Sequence, residues 1–237
     1  MISEACPICN GTEWIYNTSD ETASPCSCQA KARADRRLQF ADIPLAYKNA
    51  QLGNFNIAHY KHEKDVIKAV CAAVNKFMAS KEEFLDNGVG LYLHSATKGS
   101  GKTRMAASIA NRLMENHTVK FATSSSIVQE IKNSWGKEDR EAESKLLNAL
   151  YTVEILVIDD FGTEKATDWV NGQFYNILNE RYIRRLTTFY TSNTSIDKLE
   201  YDDRITNRIK ERTLSIAFPE ESIREYIAKR QNEEFRR

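Results

Sequence analysis

The stretch "HSATKGSGKTR", residues 94–104, decides how the rest of the chain is interpreted. Its Gly-Lys-Thr ends the phosphate-loop pattern G-x-x-x-x-G-K-[ST], in which backbone amides and a lysine bind phosphates. Ala96 stands where the pattern has its first glycine. An alanine fits there if its φ is negative and strains the backbone if φ is positive. We therefore expect an altered but working loop.

The sequence on either side provides the setting that a phosphate loop needs. A buried strand is predicted for "GLYLH", and a helix with apolar residues three and four apart for "KTRMAASIANRLMEN". Amides at the start of that helix would point at the phosphates, Lys102 would reach the β- and γ-phosphates, and Thr103 would bind Mg²⁺. The predicted nucleotide-binding residues of this loop are Lys98, Gly99, Ser100, Gly101, Lys102, Thr103 and Arg104.

A pair of carboxylates follows another apolar run, "ILVIDDFG". Asp159 at the strand end would bind Mg²⁺, and Asp160 would polarise the attacking water. Many relatives of this fold use the longer glutamate at the second position, so we expect slow hydrolysis. The alternative is that the pair only caps a loop.

The remaining sequence alternates short apolar runs with helical patterns, which predicts a parallel α/β sheet. Further strands are predicted at "TVKFATS", "LTTFYTSN" and near "LSIAF". Helices are predicted from about Ser126 and over "REAESKLLNALY", "DWVNGQFYNILNERYIRR", "DDRITNRIKER" and "EESIREYIAKRQNEEF".

Two polar features would complete a hydrolytic site. Asn193 ends the strand "TTFYTSN" and would orient the lytic water, although asparagine there is also a common turn residue. Arg204 and Arg208 lie one helical turn apart. They either form a solvated helix face or supply an arginine to the γ-phosphate of a neighbouring subunit.

Four of the five cysteines lie within the first 28 residues. Cys6 and Cys9 form C-x2-C, and Cys26 and Cys28 form a tighter C-x-C. Four thiolates suit a closed structural zinc site. The alternatives are disulfides, which fit a secreted chain better, or four unrelated thiols. With the basic stretch that follows, residues 1–45 are predicted to form a zinc-binding module and linker helix, and residues 46–237 a second domain.

The composition of the chain excludes few classes of function. The formal net charge is zero, so bulk charge does not indicate nucleic-acid binding. The sequence has no apolar run approaching the roughly 20 residues of a membrane span, and its N-terminus lacks a secretory pattern. A cytoplasmic location and no membrane partner are the expectations.

Several stretches together resemble one family, the DnaC/DnaI-type replicative helicase loaders of the AAA+ class, including their phage-encoded versions. The stretches that carry the resemblance are "CPIC…CSC", "ADIPLAY", "KGSGKTRMAASIAN", "ILVIDDFGTEK", "TTFYTSN" and "DRITNRI". The resemblance implies an α/β AAA+ P-loop ATPase core, with a parallel sheet flanked by helices, and a small N-terminal zinc-binding module.

The resemblance also implies residue roles. Lys102 and Thr103 match Walker A, and Asp159 and Asp160 match Walker B. Asn193 matches sensor 1, Arg208 the arginine finger and Arg224 a sensor 2-like arginine. Single-stranded DNA would bind around "SSSIVQEIKNSWGKEDR". Lys132 and Lys137 are the candidate contacts, and a solvated helix face is the alternative.

The implied function is an ATP-dependent loader that binds the hexameric replicative helicase, self-associates with ATP and delivers the helicase to single-stranded DNA. ATP, Mg²⁺ and structural Zn²⁺ are the implied cofactors. One alternative is an IstB-like transposition helper ATPase, and another is a non-hydrolysing helicase adaptor or inhibitor. The cysteine module argues against the helper, whose family more often begins with a helical region.

Overall fold

The computed structural model describes residues 6–134 and 147–236 of the chain. The chain divides into two compact units, Met1–Ala41 and Asp42–Arg237. The boundary predicted from the sequence lies between residues 45 and 46. Within the described residues, no helix combines the length and apolar character needed to cross a membrane.

The first unit holds a small antiparallel hairpin followed by a helix. Strands β1 and β2 pair with Trp14 opposite Pro25, and the Cys26 amide donates to the Glu13 carbonyl at 3.0 Å. The bounds are β1 Trp14–Asn17, β2 Thr22–Pro25 and α1 Cys28–Ala41. The sequence pattern did not predict this hairpin.

The second unit is built on a five-stranded sheet. Its strands are β3 Gly90–His94, β4 Val119–Thr123, β5 Ile155–Asp159, β6 Thr187–Ser192 and β7 Thr213–Ala217. Its helices are α2 Lys64–Ala79, α3 Lys81–Asp86, α4 Lys102–Leu113, α5 Ser124–Ser134, α6 Asp168–Ile183, α7 Asp203–Arg212 and α8 Ile223–Phe235. Residues 147–152 are also helical.

All neighbouring strands of this sheet run parallel, in the order β4-β5-β6-β3-β7. Helices cover both faces of the sheet, so alternate side chains of one strand pack into two different cores. Leu91 and Leu93 pack with α2 and α4, whereas Tyr92 packs with α6 and α7. The predicted α/β architecture is therefore confirmed.

Helix α5 begins at Ser124, slightly earlier than the predicted start near Ser126. The reason is local, since the Thr123 hydroxyl accepts the Ser126 amide at 3.0 Å and so caps the helix. The helix predicted over "REAESKLLNALY" falls partly outside the described residues.

A buried arginine ties the strands of the sheet to α6. Arg181 is 1% exposed and donates to the carbonyls of Leu150, Val153 and Thr187 at 2.8, 2.9 and 2.6 Å. Burial lowers the pKa of Arg181 to about 9, which leaves the guanidinium charged at neutral pH. The cation donates to carbonyls just before β5 and at the start of β6, so these acceptors are paired inside the fold.

Replacing Arg181 with methionine is expected to lower the free energy of unfolding by at least about 3 kcal/mol, because several buried carbonyls lose their donor. Urea unfolding followed by circular dichroism measures this change. Arg184→Met is the control: Arg184 is exposed and pairs with Glu180 across one helical turn at 3.4 Å. Its loss should cost less than about 0.5 kcal/mol. Equal effects of the two substitutions would contradict the role given to Arg181.

Candidate nucleotide-binding site

The predicted site residues meet at the carboxyl edge of the sheet. Strands β3, β5 and β6 are adjacent and parallel, so the segments after them leave the sheet on the same side. The Ser95 amide donates to the Ser192 carbonyl at 3.3 Å, and the Phe161 amide donates to the Thr191 carbonyl at 2.8 Å. This edge is where α/β sheets bind ligands.

The loop between β3 and α4 has the backbone that a phosphate cradle needs. Gly99 and Gly101 have φ values of 82° and 97°, which only glycine adopts easily. A Cβ on Gly101 would lie 2.6 Å from the Tyr60 hydroxyl oxygen. Ala96 is not among the described residues with positive φ. The alanine at the first loop position is therefore accommodated without backbone strain.

Lys102 lies buried within the loop, with 5% of its surface exposed. Its Nζ donates to the carbonyls of Ser95 and Thr97 at 3.2 and 3.1 Å, and to the Ser100 hydroxyl at 3.3 Å. Burial lowers the pKa of Lys102, and the negative charge of Asp160 opposes that shift. The ammonium is thus surrounded by acceptors that an incoming phosphate can replace.

The two acidic residues lie in different surroundings. Asp159 is 5% exposed, and its Oδ1 accepts the Thr191 hydroxyl at 2.5 Å. Burial raises the pKa of Asp159, while hydrogen bonds from Thr191 and Thr103 oppose the rise. Asp160 is exposed and has a φ of 54°. One carboxylate is therefore buried next to the loop threonine, and the other is open to solvent.

A segment before α2, which the sequence did not predict to be near the site, contacts the phosphate loop through Tyr60. Tyr60 is 1% exposed, and its hydroxyl donates to the Ser100 carbonyl at 2.7 Å. Phe55 stacks on the Tyr60 ring, with centroids 6.4 Å apart. Tyr60 and Ser100 are 40 positions apart in the sequence, so no local pattern marks this contact.

Two glutamates between β7 and α8 bind backbone amides around the loop, and we call them the carboxylate clasp. Glu220 accepts the amides of Ala96 and Thr97 at 2.9 and 2.7 Å. Glu221 accepts the amides of residues 61–63 at 2.8, 3.1 and 3.3 Å. The clasp joins the start of α8 to both the phosphate loop and the segment after Tyr60.

The clasp gives Glu220 a measurable role. Burial alone would raise the pKa of Glu220, but hydrogen bonds from Thr97 and Ala96 outweigh it and lower the pKa. A lowered carboxyl pKa contributes stability above the unfolded value of about 4.3, and this contribution is lost as the pH falls through the lower folded value.

Glu220→Gln is therefore expected to weaken ADP binding roughly fivefold at pH 7, since a neutral amide has one oxygen to accept from the two backbone N–H groups that both oxygens of Glu220 now bind. Isothermal titration calorimetry measures the affinity. The difference in thermal stability between Glu220→Gln and the parent should shrink as the pH falls below about 4.3 and disappear once the pH is below the lowered folded pKa of Glu220. Glu225→Gln, at an exposed position in the first turn of α8, is the matched control. Equal affinities for both variants would show that the clasp does not shape the loop.

Other predicted residues lie at varying positions relative to the loop. The Arg224 Cβ would be 3.0 Å from a Cβ built on Gly99, and the neighbouring Ile223 amide donates to the Gly99 carbonyl at 3.0 Å. Asn193 is half-buried directly after β6. Arg104 instead donates to the carbonyl and side chain of Asn54 at 3.1 and 3.0 Å. Its guanidinium is engaged outside the phosphate cradle.

Arg208 and Lys132 lie on helices outside the loop. Arg208 packs on α6, where its Nη2 donates to the Asn179 side chain at 2.7 Å. The Lys132 Nζ on α5 lies 5.2 Å from the ring centroid of Trp169. Lys137 is outside the described residues.

The four N-terminal cysteines form a compact cluster, with all Sγ atoms within 4.8 Å of one another. The Cys6–Cys26 and Cys9–Cys28 sulfur distances are 3.9 and 3.4 Å, too long for disulfides. Four thiolates around one zinc ion at 2.3 Å would be about 3.8 Å apart. The donor set and spacing therefore fit a tetrahedral metal.

A parallel sheet with a glycine-containing phosphate loop after one strand and a buried aspartate at the end of a nearby strand is the arrangement of a P-loop ATPase, the broad class to which AAA+ proteins belong. The match to a family model is consistent with this class, since residues 30–217 match that of IstB-like ATP binding proteins. The chain belongs to this family. The match begins after Cys28, so the cysteine cluster lies outside it.

The relatives refine this placement. The replicative helicase loader DnaI of Bacillus subtilis (strain 168) is 38% identical over 130 residues, which are 54% of this chain and 40% of DnaI. The alignment thus spans less than half of that protein. A crystal structure of DnaI is 26% identical with a TM-score of 0.59, covering 71% of this chain and 93% of that chain. These matches confirm the resemblance to DnaC/DnaI-type proteins.

A crystal structure of the DnaC helicase loader shares the fold, with a TM-score of 0.62 at 20% identity. The alignment covers 74% of this chain and 99% of that chain.

Proposed function

We propose that this protein is an ATP-dependent loader that binds a hexameric replicative DNA helicase and delivers it to single-stranded DNA. One observation carries the proposal: a phosphate loop and two aspartates share one sheet edge in a chain similar to named helicase loaders. ATP would drive assembly of several copies, and hydrolysis would release the loader.

In the proposed reaction, each site residue has a task. The loop amides and Lys102 bind the phosphates, and Asp160 accepts a proton from the attacking water. Thr103 and Asp159 would hold Mg²⁺, which supplies positive charge to the phosphates. The fit rests on the donor set, a buried Asp159 carboxylate that is hydrogen-bonded by the hydroxyls of Thr191 and Thr103. Burial raises the pKa of Asp159, and a nearby cation would favour its charged form. Asn193 orients the water, and Arg208 acts on the nucleotide of a neighbouring copy.

The N-terminal unit is the proposed helicase-binding module, folded around zinc held by the four cysteines. Its surface supports this role, because large apolar side chains are exposed between Cys6 and Cys9 and on β1. Ile8 and Tyr16 are 62% and 69% exposed, and Trp14 is 42% exposed. Exposed aromatic groups are typical of contact surfaces.

Single-stranded DNA is the proposed second ligand, with Lys132 as a contact. Support comes from its position beside Trp169, because cations and aromatic rings together bind phosphates and bases. Lys137 stays a predicted contact.

The runner-up is a transposition helper, favoured by the family model itself, which is described as IstB-like. The cysteine module outside that match favours the loader. The third candidate, a non-hydrolysing adaptor, would use the same module without turnover.

Native mass spectrometry of the protein with the replicative helicase of its source organism separates the three. The mixture is measured with ATP, without ATP, and with Lys102→Ala and Tyr16→Ser variants. A loader gives a complex whose stoichiometry changes with ATP. In Lys102→Ala the stoichiometry no longer responds to ATP, and in Tyr16→Ser the complex is weaker. Binding to duplex DNA with no helicase complex supports the helper. A complex that forms equally with ATP, without ATP and with the Lys102→Ala variant supports the adaptor.

A further inference from the structure

Helix α7 carries three arginines that interleave with two tyrosines of α6, and we call this row the arginine–tyrosine ladder. The guanidinium carbons of Arg204 and Arg208 lie 4.8 and 4.9 Å from the Tyr175 ring centroid. Arg208 and Arg212 lie 5.5 and 4.7 Å from the Tyr182 ring centroid. The middle guanidinium therefore contacts both rings, each an electron-rich face for a cation.

The two outer arginines are paired with carboxylates of their own helix or its cap. Arg204 donates to both oxygens of Asp202 at 3.0 Å. The Arg212 Nε lies 3.9 Å from a carboxylate oxygen of Glu211, which also accepts the Tyr182 hydroxyl. Their charges are partly neutralised where they stand.

Arg208 in the middle is held by neutral acceptors instead. It donates to the Asn179 amide oxygen at 2.7 Å, the Arg204 carbonyl at 2.8 Å and the Tyr175 hydroxyl at 3.4 Å. Its Nε, like that of Arg212, is buried and has no hydrogen-bond partner among the described residues. The ion pairs found within the described part of the chain do not include Arg208.

An arginine that acts on a phosphate of another subunit needs an ordered side chain and an uncompensated charge. A free arginine side chain loses rotamer entropy when it becomes ordered, and a preset conformation removes that cost in advance. A carboxylate partner would order it equally well but would compete with the phosphate. Tyrosine rings and an asparagine amide give order without that competition.

We propose that Tyr175, Asn179 and Tyr182 are positioning residues, which hold Arg208 preset and without a carboxylate partner for the ATP bound by a second copy of this chain. This inference rests on the proposed function, in which Arg208 acts between subunits. It adds the requirement that the side chain on α6 that accepts a hydrogen bond from Arg208, the Asn179 amide, be neutral.

Asn179→Asp tests the charge requirement, because it offers Arg208 a carboxylate with the same shape as the native amide. Asn176→Asp is the matched control, since it adds the same charge to the same helix at an exposed position. Tyr175→Leu is a second variant, which removes the ring shared by Arg204 and Arg208.

The assay mixes two inactive chains. The acceptor, Arg208→Ala, binds ATP but lacks the arginine, whereas the donor, Asp160→Asn, carries Arg208 but lacks the water-activating carboxylate. Phosphate release by the mixture then reports Arg208 of one chain acting on the nucleotide of the other. Asn179→Asp is placed in either the donor or the acceptor, and circular dichroism checks that each variant is folded.

The expected result is asymmetric. Asn179→Asp in the donor lowers the restored rate at least about tenfold, because an arginine of this kind contributes far more than that to phosphoryl transfer. In the acceptor it changes the rate by less than about twofold, as does Asn176→Asp in either chain. Tyr175→Leu should lower the rate in the donor only.

Two results would overturn the inference differently. A restored rate that is unchanged by Asn179→Asp in the donor, or lowered equally from both chains, refutes the positioning role and leaves the loader proposal intact. No restored activity when Arg208→Ala and Asp160→Asn are mixed refutes the action of Arg208 between subunits, and the inference falls with it.

Discussion

Replacing Lys102 with alanine is expected to reduce ATP hydrolysis at least about a hundredfold and ATP affinity at least about tenfold. The Lys102 ammonium is the buried cation of the loop, and its three oxygen partners belong to the loop itself. A bound nucleotide therefore gains a charged donor that is already desolvated and aimed into the cradle. Alanine leaves the phosphates with backbone amides alone.

Phosphate release and calorimetry with a non-hydrolysable ATP analogue measure the two effects. Lys98→Ala is the matched control, because Lys98 is an exposed lysine of the same loop and would contribute its backbone amide. It should change both quantities by less than about threefold. Wild-type hydrolysis in Lys102→Ala would mean that the loop is not the site of ATP turnover.

Replacing Cys9 with serine is expected to remove one equivalent of zinc and to unfold the N-terminal unit. Cys9 is buried in the cluster of four thiols. A unit this small buries little apolar surface, so metal binding, worth about 10 kcal/mol or more for structural sites, would supply most of its folding free energy.

Zinc content is measured by mass spectrometry of the native protein, and folding by the amide NMR signals of β1 and β2. Cys71→Ser is the control, because Cys71 lies on α2 in the other unit and should leave the zinc content unchanged. Native protein without zinc, or Cys9→Ser protein that keeps it, would contradict the metal site. ATP hydrolysis should survive in Cys9→Ser, because the hydrolytic residues belong to residues 42–237.

Local patterns were enough to predict the sheet and the loop, because each strand is a short apolar run and the phosphate loop is contiguous. Ile155–Asp159 is buried throughout, as a strand covered on both faces must be. The β1–β2 hairpin was missed because its strands are exposed and the second, "TASP", lacks an apolar pattern. The cysteines of the cluster flank its two strands, and a sequence pattern of burial does not mark it.

Contacts that cross the fold could not be predicted. Glu220 and Ala96 are 124 residues apart, and no local pattern marks a glutamate as an acceptor for loop amides. The arginine spacing on α7 was visible in the sequence, but its partners on α6 were not. Nothing in the sequence distinguishes Tyr175 and Tyr182 from other residues of α6, because their contacts with the arginines arise only where α7 packs against α6.

The left-handed backbone of Asp160 has a consequence for how this protein can evolve. A change in the third base of an aspartate codon is sufficient to encode glutamate, the acid common at this position in the fold. Glutamate is less suited than aspartate to a φ of 54°, and the turn is held there because the Asp160 carbonyl accepts the Ser124 and Thr163 hydroxyls. Glutamate is thus one base change away, but it adopts the left-handed backbone of this position less readily than aspartate does. Glutamate at this position would therefore cost stability on the order of 1 kcal/mol, and a companion change at Ser124 or Thr163 that frees the turn would lessen that cost.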